Sequence, residues 1–113
     1  MKRSSRYGER DYAFGQLMLT QRTALGLTQQ GLARLLGVSR RAVTEWEAGN
    51  SYPKAEHLKS FIELCVRQHL FSPGREAWEI RTLWKSAHQK VLLDEPWLAA
   101  LLAPAPIPFP GGS

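Results

Sequence analysis

Residues Leu27–Gly49 read LTQQGLARLLGVSRRAVTEWEAG. Two short segments of helical apolar spacing are joined by Gly37-Val38. The first opens on Thr28-Gln29-Gln30 and the second on Ser39-Arg40-Arg41, so polar and basic groups gather at both helix starts and a glycine sits at the hinge. Thr28 suits the N-cap of a helix over about 28–36, and Gly37 suits its left-handed end. Ser39 suits the cap of a helix over about 39–48 that stops at Gly49. Two short helices joined in this way predict a helix-turn-helix unit. Leu32, Leu36, Val38, Val43 and Trp46 are apolar where such a unit packs on its domain. Ala33 is small where the helices approach, Gly37 takes positive φ without a Cβ penalty, and Val38 can plug the corner. A plain helical hairpin would require only the apolar periodicity.

Outward from this stretch the pattern stays helical. Phe14, Leu17, Met18 and Leu25 mark one face of a helix over about 13–25, ending near Gly26. Pro53 suits the first turn of a helix running to about His69, with Leu58, Phe61, Ile62 and Cys65 inward. Phe71-Ser72-Pro73-Gly74 signals a turn. A helix over about 75–92 follows, with Ile80, Trp84, Ala87 and Val91 at helical spacing. Asp94 or Glu95, with Pro96, starts a last helix over Trp97–Leu102. Residues 1–12 are expected to form a flexible basic arm. Residues 103–113, with proline at alternate positions, are expected to be a Pro-rich linker or chain end. No strand pattern or repeat is visible. The sequence predicts an all-α protein: a helix-turn-helix bundle of four to five helices over 13–69, and a helical extension over 70–102. Trp78, Trp84 and Trp97 are expected to pack that extension onto the bundle.

The 113 residues suffice for one ordinary domain. The single cysteine, Cys65, excludes an intramolecular disulfide and a cysteine zinc cluster, and it falls in an apolar stripe as a buried thiol would. Neither a membrane span nor a signal-peptide apolar stretch is present, which predicts a cytoplasmic protein without membrane partners. The net charge is +5. Residues 1–54 hold nine Lys/Arg against four acids, whereas residues 55–113 hold six of each. All the excess positive charge therefore lies in the half that contains the quoted stretch. That bias points to a polyanion, and a solvated surface with chance asymmetry is the plainer alternative.

Residues 14–65, FGQLMLTQRTALGLTQQGLARLLGVSRRAVTEWEAGNSYPKAEHLKSFIELC, resemble domains of the phage repressor and Cro class, the XRE family. The recurring parts are Leu-Thr-Gln, Leu-Ala, Gly-Val-Ser, Trp-Glu-x-Gly and a proline before the next helix. The resemblance covers about half the chain and implies a lambda-repressor-like fold. It also implies that the helix over about 39–48 lies in the major groove of double-stranded DNA. Gln29 then matches a position that binds the DNA backbone, and Ser39, Arg40, Arg41 and Thr44 match the recognition face. Arg40 or Arg41 can read a guanine through O6 and N7, hold a phosphate, or simply be a solvated helix start. Glu45 can accept from a cytosine amine or repel phosphate. Asn50, Ser51, Tyr52 and Lys54 follow the recognition helix, where related domains touch the backbone; for Tyr52, packing on the next helix is the equal alternative. Lys2, Arg3, Arg6 and Arg10 can add phosphate contacts. The resemblance further implies a structural salt bridge between Arg22 and Glu47, a core role for Trp46, and a homodimer on paired half-sites.

Residues 74–102, GREAWEIRTLWKSAHQKVLLDEPWLAALL, resemble segments that follow such domains in large bacterial STAND-type signalling ATPases. That resemblance implies further domains of a larger chain, and an alternative role as a protein-interaction or signalling domain in which DNA binding is lost or secondary. This chain has no GxxxxGK[ST] phosphate loop. His57, His69 and His88 form no spaced ligand set. The Cys65–His69 pair, one turn apart, fits a core thiol and a cation at a helix C-terminus better than a nucleophile and base, because no third orienting group is visible. No catalytic residue, metal or cofactor is expected.

Overall fold

The computed structural model describes residues 10–104, arranged as six helices and, among those residues, no strand. In chain order they are α1 (Tyr12–Ala24), α2 (Gln29–Leu36), α3 (Arg40–Ala48), α4 (Ala55–Arg67), α5 (Glu76–Ser86) and α6 (Glu95–Leu102). Four starts are closed by a side chain that accepts a backbone N–H otherwise left unpaired. Asp11 takes that of Phe14, Thr28 that of Gly31, Ser39 that of Ala42 and Asp94 that of Trp97. Each such cap stabilises its helix by about 1 kcal/mol. The ends of α2 and α3 are left-handed, at Gly37 and Gly49. At Gly37 the N–H returns to the Arg34 carbonyl and the Val38 N–H to Ala33; at Gly49 the same pair reaches Trp46 and Glu45. His69 takes the left-handed place after α4, at φ 56°.

α3 packs on α1 and α2, α2 also meets α4, and α4 carries both α5 and α6. Phe14, Met18, Leu32, Ala33, Val43, Trp46, Leu58, Phe61, Ile62 and Cys65 form one buried cluster with Ile80, Leu83, Trp84 and Leu98 of the last two helices. Each large apolar side chain there contributes roughly 1.5–3 kcal/mol. α1 meets α3 closely at Gly15, where a Cβ would lie 2.3 Å from the Glu47 carbonyl oxygen. No helix among the described residues is long and apolar enough to cross a membrane.

Several expected positions differ. α5 ends at Ser86 rather than near residue 92, and Val91 is exposed. His88 turns left-handed at φ 49°, and the Trp84 indole donates to the Val91 carbonyl, pinning a loop where the apolar spacing predicts further helix. α4 begins at Ala55: Pro53 is buried ahead of the Lys54 cap, with its carbonyl accepting from the Gln89 amide. Leu17 is 37% exposed and Trp78 58% exposed. Both lie off the stripes that face the core, and Trp78 instead receives the Arg75 guanidinium over its ring at 4.6 Å. Trp84 is buried as expected, and Trp97 is partly buried, donating to Glu63. The expected arm over 1–12 does not extend to its last residues, because the Asp11 N–H donates to the Gly49 carbonyl. Lys2, Arg3 and Arg6, and all but the first two residues of the expected Pro-rich end, lie outside the described residues.

Candidate nucleic-acid interface

The start of α3 stands clear of the last two helices, which pack on α4. Beneath it lies a polar network joining three helices. Arg22 of α1 grips Glu47 of α3 with two nitrogens, Nε to Oε2 at 2.5 Å and Nη2 to Oε1 at 3.0 Å. Its third nitrogen donates to the Leu27 carbonyl at 2.8 Å. Gln29 of α2 donates through Nε2 to Glu47 Oε1 at 2.9 Å. The Thr44 hydroxyl lies 3.0 Å from Gln29 Oε1 and 3.1 Å from the Arg40 carbonyl, and its one proton serves either. The Glu47 side chain is 7% exposed and that of Arg22 14%. The hydrogen bonds to Glu47 hold the guanidinium of Arg22 above its already high ionisation range. Two planar, bidentate groups buried in this way fix the rotation of α3 against α1.

The sequence-predicted contacts thus divide into tied and free side chains. Ser39 is occupied as the α3 cap, although its hydroxyl is exposed. Gln29 and Thr44 are tied to each other. Glu45 and Asn50 are brought together, with the Asn50 amide donating to the Glu45 carboxylate at 3.0 Å. Arg40, Arg41 and Lys54 are exposed and, among the described residues, form no ion pair and no side-chain hydrogen bond. An open hollow at the start of α2, lined by Arg22, Thr28, Gln29, Gln30 and Arg40, lies beside this face. Thr28 and Gln30, which were not among the expected contacts, line this hollow. The Thr-Gln-Gln opening carried the signal, since the first turn of a helix presents unpaired N–H groups.

The loop after α3 is braced from behind. The Tyr52 hydroxyl donates to Asp11 Oδ2, and its ring meets Phe14 edge-on at 5.1 Å. Partial burial and the neighbouring carboxylate push the Tyr52 phenol up to about 12. The bond from Tyr52, with the Phe14 N–H, lowers the Asp11 carboxyl. Elsewhere, burial pushes the Cys65 thiol up to about 12. No group of three His, Cys, Asp or Glu side chains among the described residues could hold a metal ion.

The helix-turn-helix family model matches residues 18–65. That stretch is similar to helix-turn-helix domains. Over 46 residues the chain is 46% identical to the HTH-type transcriptional activator BcrR of Enterococcus faecalis. The match covers 41% of this chain and 22% of that protein, so the chain spans about a fifth of the length of the relative it matches. No solved structure matches the chain. The matched stretch takes in the second half of α1, all of α2 and α3, and most of α4, with the Arg22–Glu47 bridge inside it.

Proposed function

We propose that this chain binds double-stranded DNA sequence-specifically in the cytoplasm, as a transcription regulator or the DNA-binding module of a larger one. α3 enters the major groove start-first. The observation that carries this reading is the state of Arg40 and Arg41: two adjacent guanidinium groups at the tip of α3, exposed and, among the described residues, without an intramolecular partner. The side chains around them are tied down by Glu47 and Gln29. In this reading Arg40, beside the hollow at the start of α2, holds a phosphate together with the helix N–H groups. Arg41 projects to a base edge, where a bidentate guanine contact contributes about 1–3 kcal/mol of discrimination. Ser39, Thr44, Asn50 and Lys54 complete the footprint, and Glu45, held by Asn50, borders it. Gln29 acts by positioning Thr44. Arg22 and Glu47 serve structure alone. No catalysis and no cofactor enters.

The test is the Arg40→Ala/Arg41→Ala double variant, measured by fluorescence anisotropy on duplexes selected from a random pool. Circular dichroism confirms that it is folded. The slope of log affinity against log salt flattens by about 0.9 for each phosphate that the variant no longer neutralises. The expected result is weaker binding with a shallower slope and relaxed sequence preference. Parent-like binding by the folded double variant refutes the assignment of the face. Two-fold assembly on paired half-sites is part of this reading, with sedimentation on half-site and full-site duplexes as its check. The second reading, a protein-interaction module of a STAND-type chain, is favoured by the exposure of Trp78 and of Leu92, the latter at 93%. Absence of duplex binding at low salt, together with stable self-association, would favour it.

A further inference from the structure

The loop between α5 and α6 lies outside residues 18–65, yet it is fastened to the segment that follows α3. The Gln89 amide donates to the Pro53 carbonyl at 2.8 Å. The His88 ring lies 5.1 Å from that of Tyr52, and its Nε2 stands 3.8 Å from Asp11 Oδ2. The Trp84 indole holds the far side of the loop through the Val91 carbonyl. Between the two segments lies a cleft of about 370 Å³, lined by Tyr52, Pro53 and Lys54 on one wall and His88, Gln89 and Lys90 on the other. Lys54 and Lys90 are both exposed, and neither forms an ion pair among the described residues. Of the nearby acids, Asp11 is engaged by Tyr52 and by the Phe14 N–H, and Glu56 stands in the first turn of α4, two residues after Lys54.

We propose that this cleft holds a backbone phosphate of the same duplex, beyond the stretch covered by α3, with Lys90 and Lys54 as its two cationic walls. The proposal rests on the DNA-binding reading above. Two observations favour a DNA phosphate over a free anion. The cleft is continuous with the Asn50–Lys54 segment, and it is open to the surface, unlike an enclosed anion cage. The extension thus does more than enlarge the core: it adds a backbone contact that α1–α4 alone lack. Phosphate contacts set register and affinity without reading sequence, so the effect is uniform across sites.

The experiment compares the full chain with Lys90→Ala, Lys90→Arg, Arg67→Ala and the Arg40→Ala/Arg41→Ala pair, across a salt titration. Arg67 lies at the far end of α4 and serves as a matched removal of one exposed charge. Lys90→Ala is expected to flatten the salt slope by about 0.9, which is about eightfold in affinity at roughly 0.1 M salt where the two lines meet near 1 M. The preferred sequence should not change, Lys90→Arg should restore the slope, and Arg67→Ala should follow the parent. Lengthening the duplex at its flanks should strengthen the parent and leave Lys90→Ala unmoved. If Lys90→Ala tracks the parent while the Arg40/Arg41 pair loses affinity, the cleft assignment is overturned and the DNA-binding reading stands. Equal losses in Lys90→Ala and Arg67→Ala also overturn it, since they report net charge alone. If the parent itself fails to bind, both readings fall.

Discussion

Glu47→Ala should be among the most destabilising single changes in the molecule, and its cost can be worked from the network around it. The carboxylate accepts from Arg22 Nε, Arg22 Nη2 and Gln29 Nε2. Its removal leaves a guanidinium only 14% exposed, with one remaining partner, the Leu27 carbonyl. Breaking a buried ion pair from one side costs about 3–5 kcal/mol, because the surviving charge is left without compensation. The retained bond to Leu27 and the slight exposure place this case at the low end, about 3 kcal/mol. For a chain of this size 1 kcal/mol moves the midpoint by about 4 °C, so the expected drop is roughly 12 °C. Thermal melts followed by helical circular dichroism and by tryptophan fluorescence supply the measurement. The Arg22→Met/Glu47→Leu double variant removes both charges and should regain most of the loss. A Glu47→Ala protein melting within about 3 °C of the parent would show that α3 is not held by this pair. The exposed Arg81–Glu95 pair gives the contrast, with its side chains 53% and 57% exposed. Glu95→Ala should leave the midpoint nearly unchanged, because water replaces the partner.

Gly15→Ala should destabilise the fold despite the better helix propensity of alanine. The gain of about 1 kcal/mol is outweighed by a Cβ placed 2.3 Å from the Glu47 carbonyl oxygen, an overpacking cost of about 1–3 kcal/mol that urea unfolding would register. Cys65 should resist thiol reagents in the native state. With its thiol pushed up to about 12, roughly one molecule in ten thousand is ionised at about pH 8, so labelling should appear only with unfolding. Asp11 and Tyr52 set opposite limbs of the pH–stability curve. The lowered Asp11 carboxyl contributes stability above the ordinary carboxylate range, lost as pH falls through its folded value. The raised Tyr52 phenol contributes stability below about 10 that is lost as pH rises towards about 12. Tyr52→Phe should therefore flatten both limbs in melts taken from acid to alkaline pH.

The helix-turn-helix was legible because its signals are local. Thr28, Ser39, Gly37 and Gly49 act within one helical turn of where they stand, and the caps and left-handed ends they imply are present. The inward stripe of α4 was legible for the same reason, as a periodic pattern in one element. Contacts between elements were not. Gly15 gave no sign of the close approach of α3, since a lone glycine in a helix reads as a weak position until its neighbour is known. Leu17 and Trp78 read as core because apolar residues at helical spacing usually are. α5 turns the expected Ile80, Trp84 and Ala87 inward, and Trp78 lies off that stripe. The end of α5 was hidden because His88, a residue that seldom takes positive φ, supplies the left-handed turn that a glycine would have announced. The charge asymmetry marked the basic half but could not separate tied residues from free ones. Gln29 and Thr44 share a face with Arg40 and Arg41 in sequence, and only the position of Glu47 decides which of them are engaged within the fold.

In the DNA-binding reading, that separation also lowers the entropic cost of recognition by the α3 tip. A recognition helix that rocked on its domain would lose orientational freedom on docking, and that loss would be subtracted from every base contact. Here Arg22 and Glu47 lock the helix through planar groups, and Gln29 passes the constraint to Thr44, one turn after Arg40. The capped start at Ser39 fixes the first turn. At the tip, Arg40 and Arg41 are exposed on long rotamer-rich stems that in this reading adapt to a phosphate or a base edge. Packing α5 and α6 on α4 rather than on α3 keeps that face open. It also lets the α5–α6 loop brace Tyr52 and Pro53 from the side, so the segment after α3 is held at both ends. In the DNA-binding reading, the hydrogen-bonded brace thus lies behind the contact surface and the untied side chains at its outermost atoms, an arrangement that favours discrimination between sequences over simple adhesion to a polyanion.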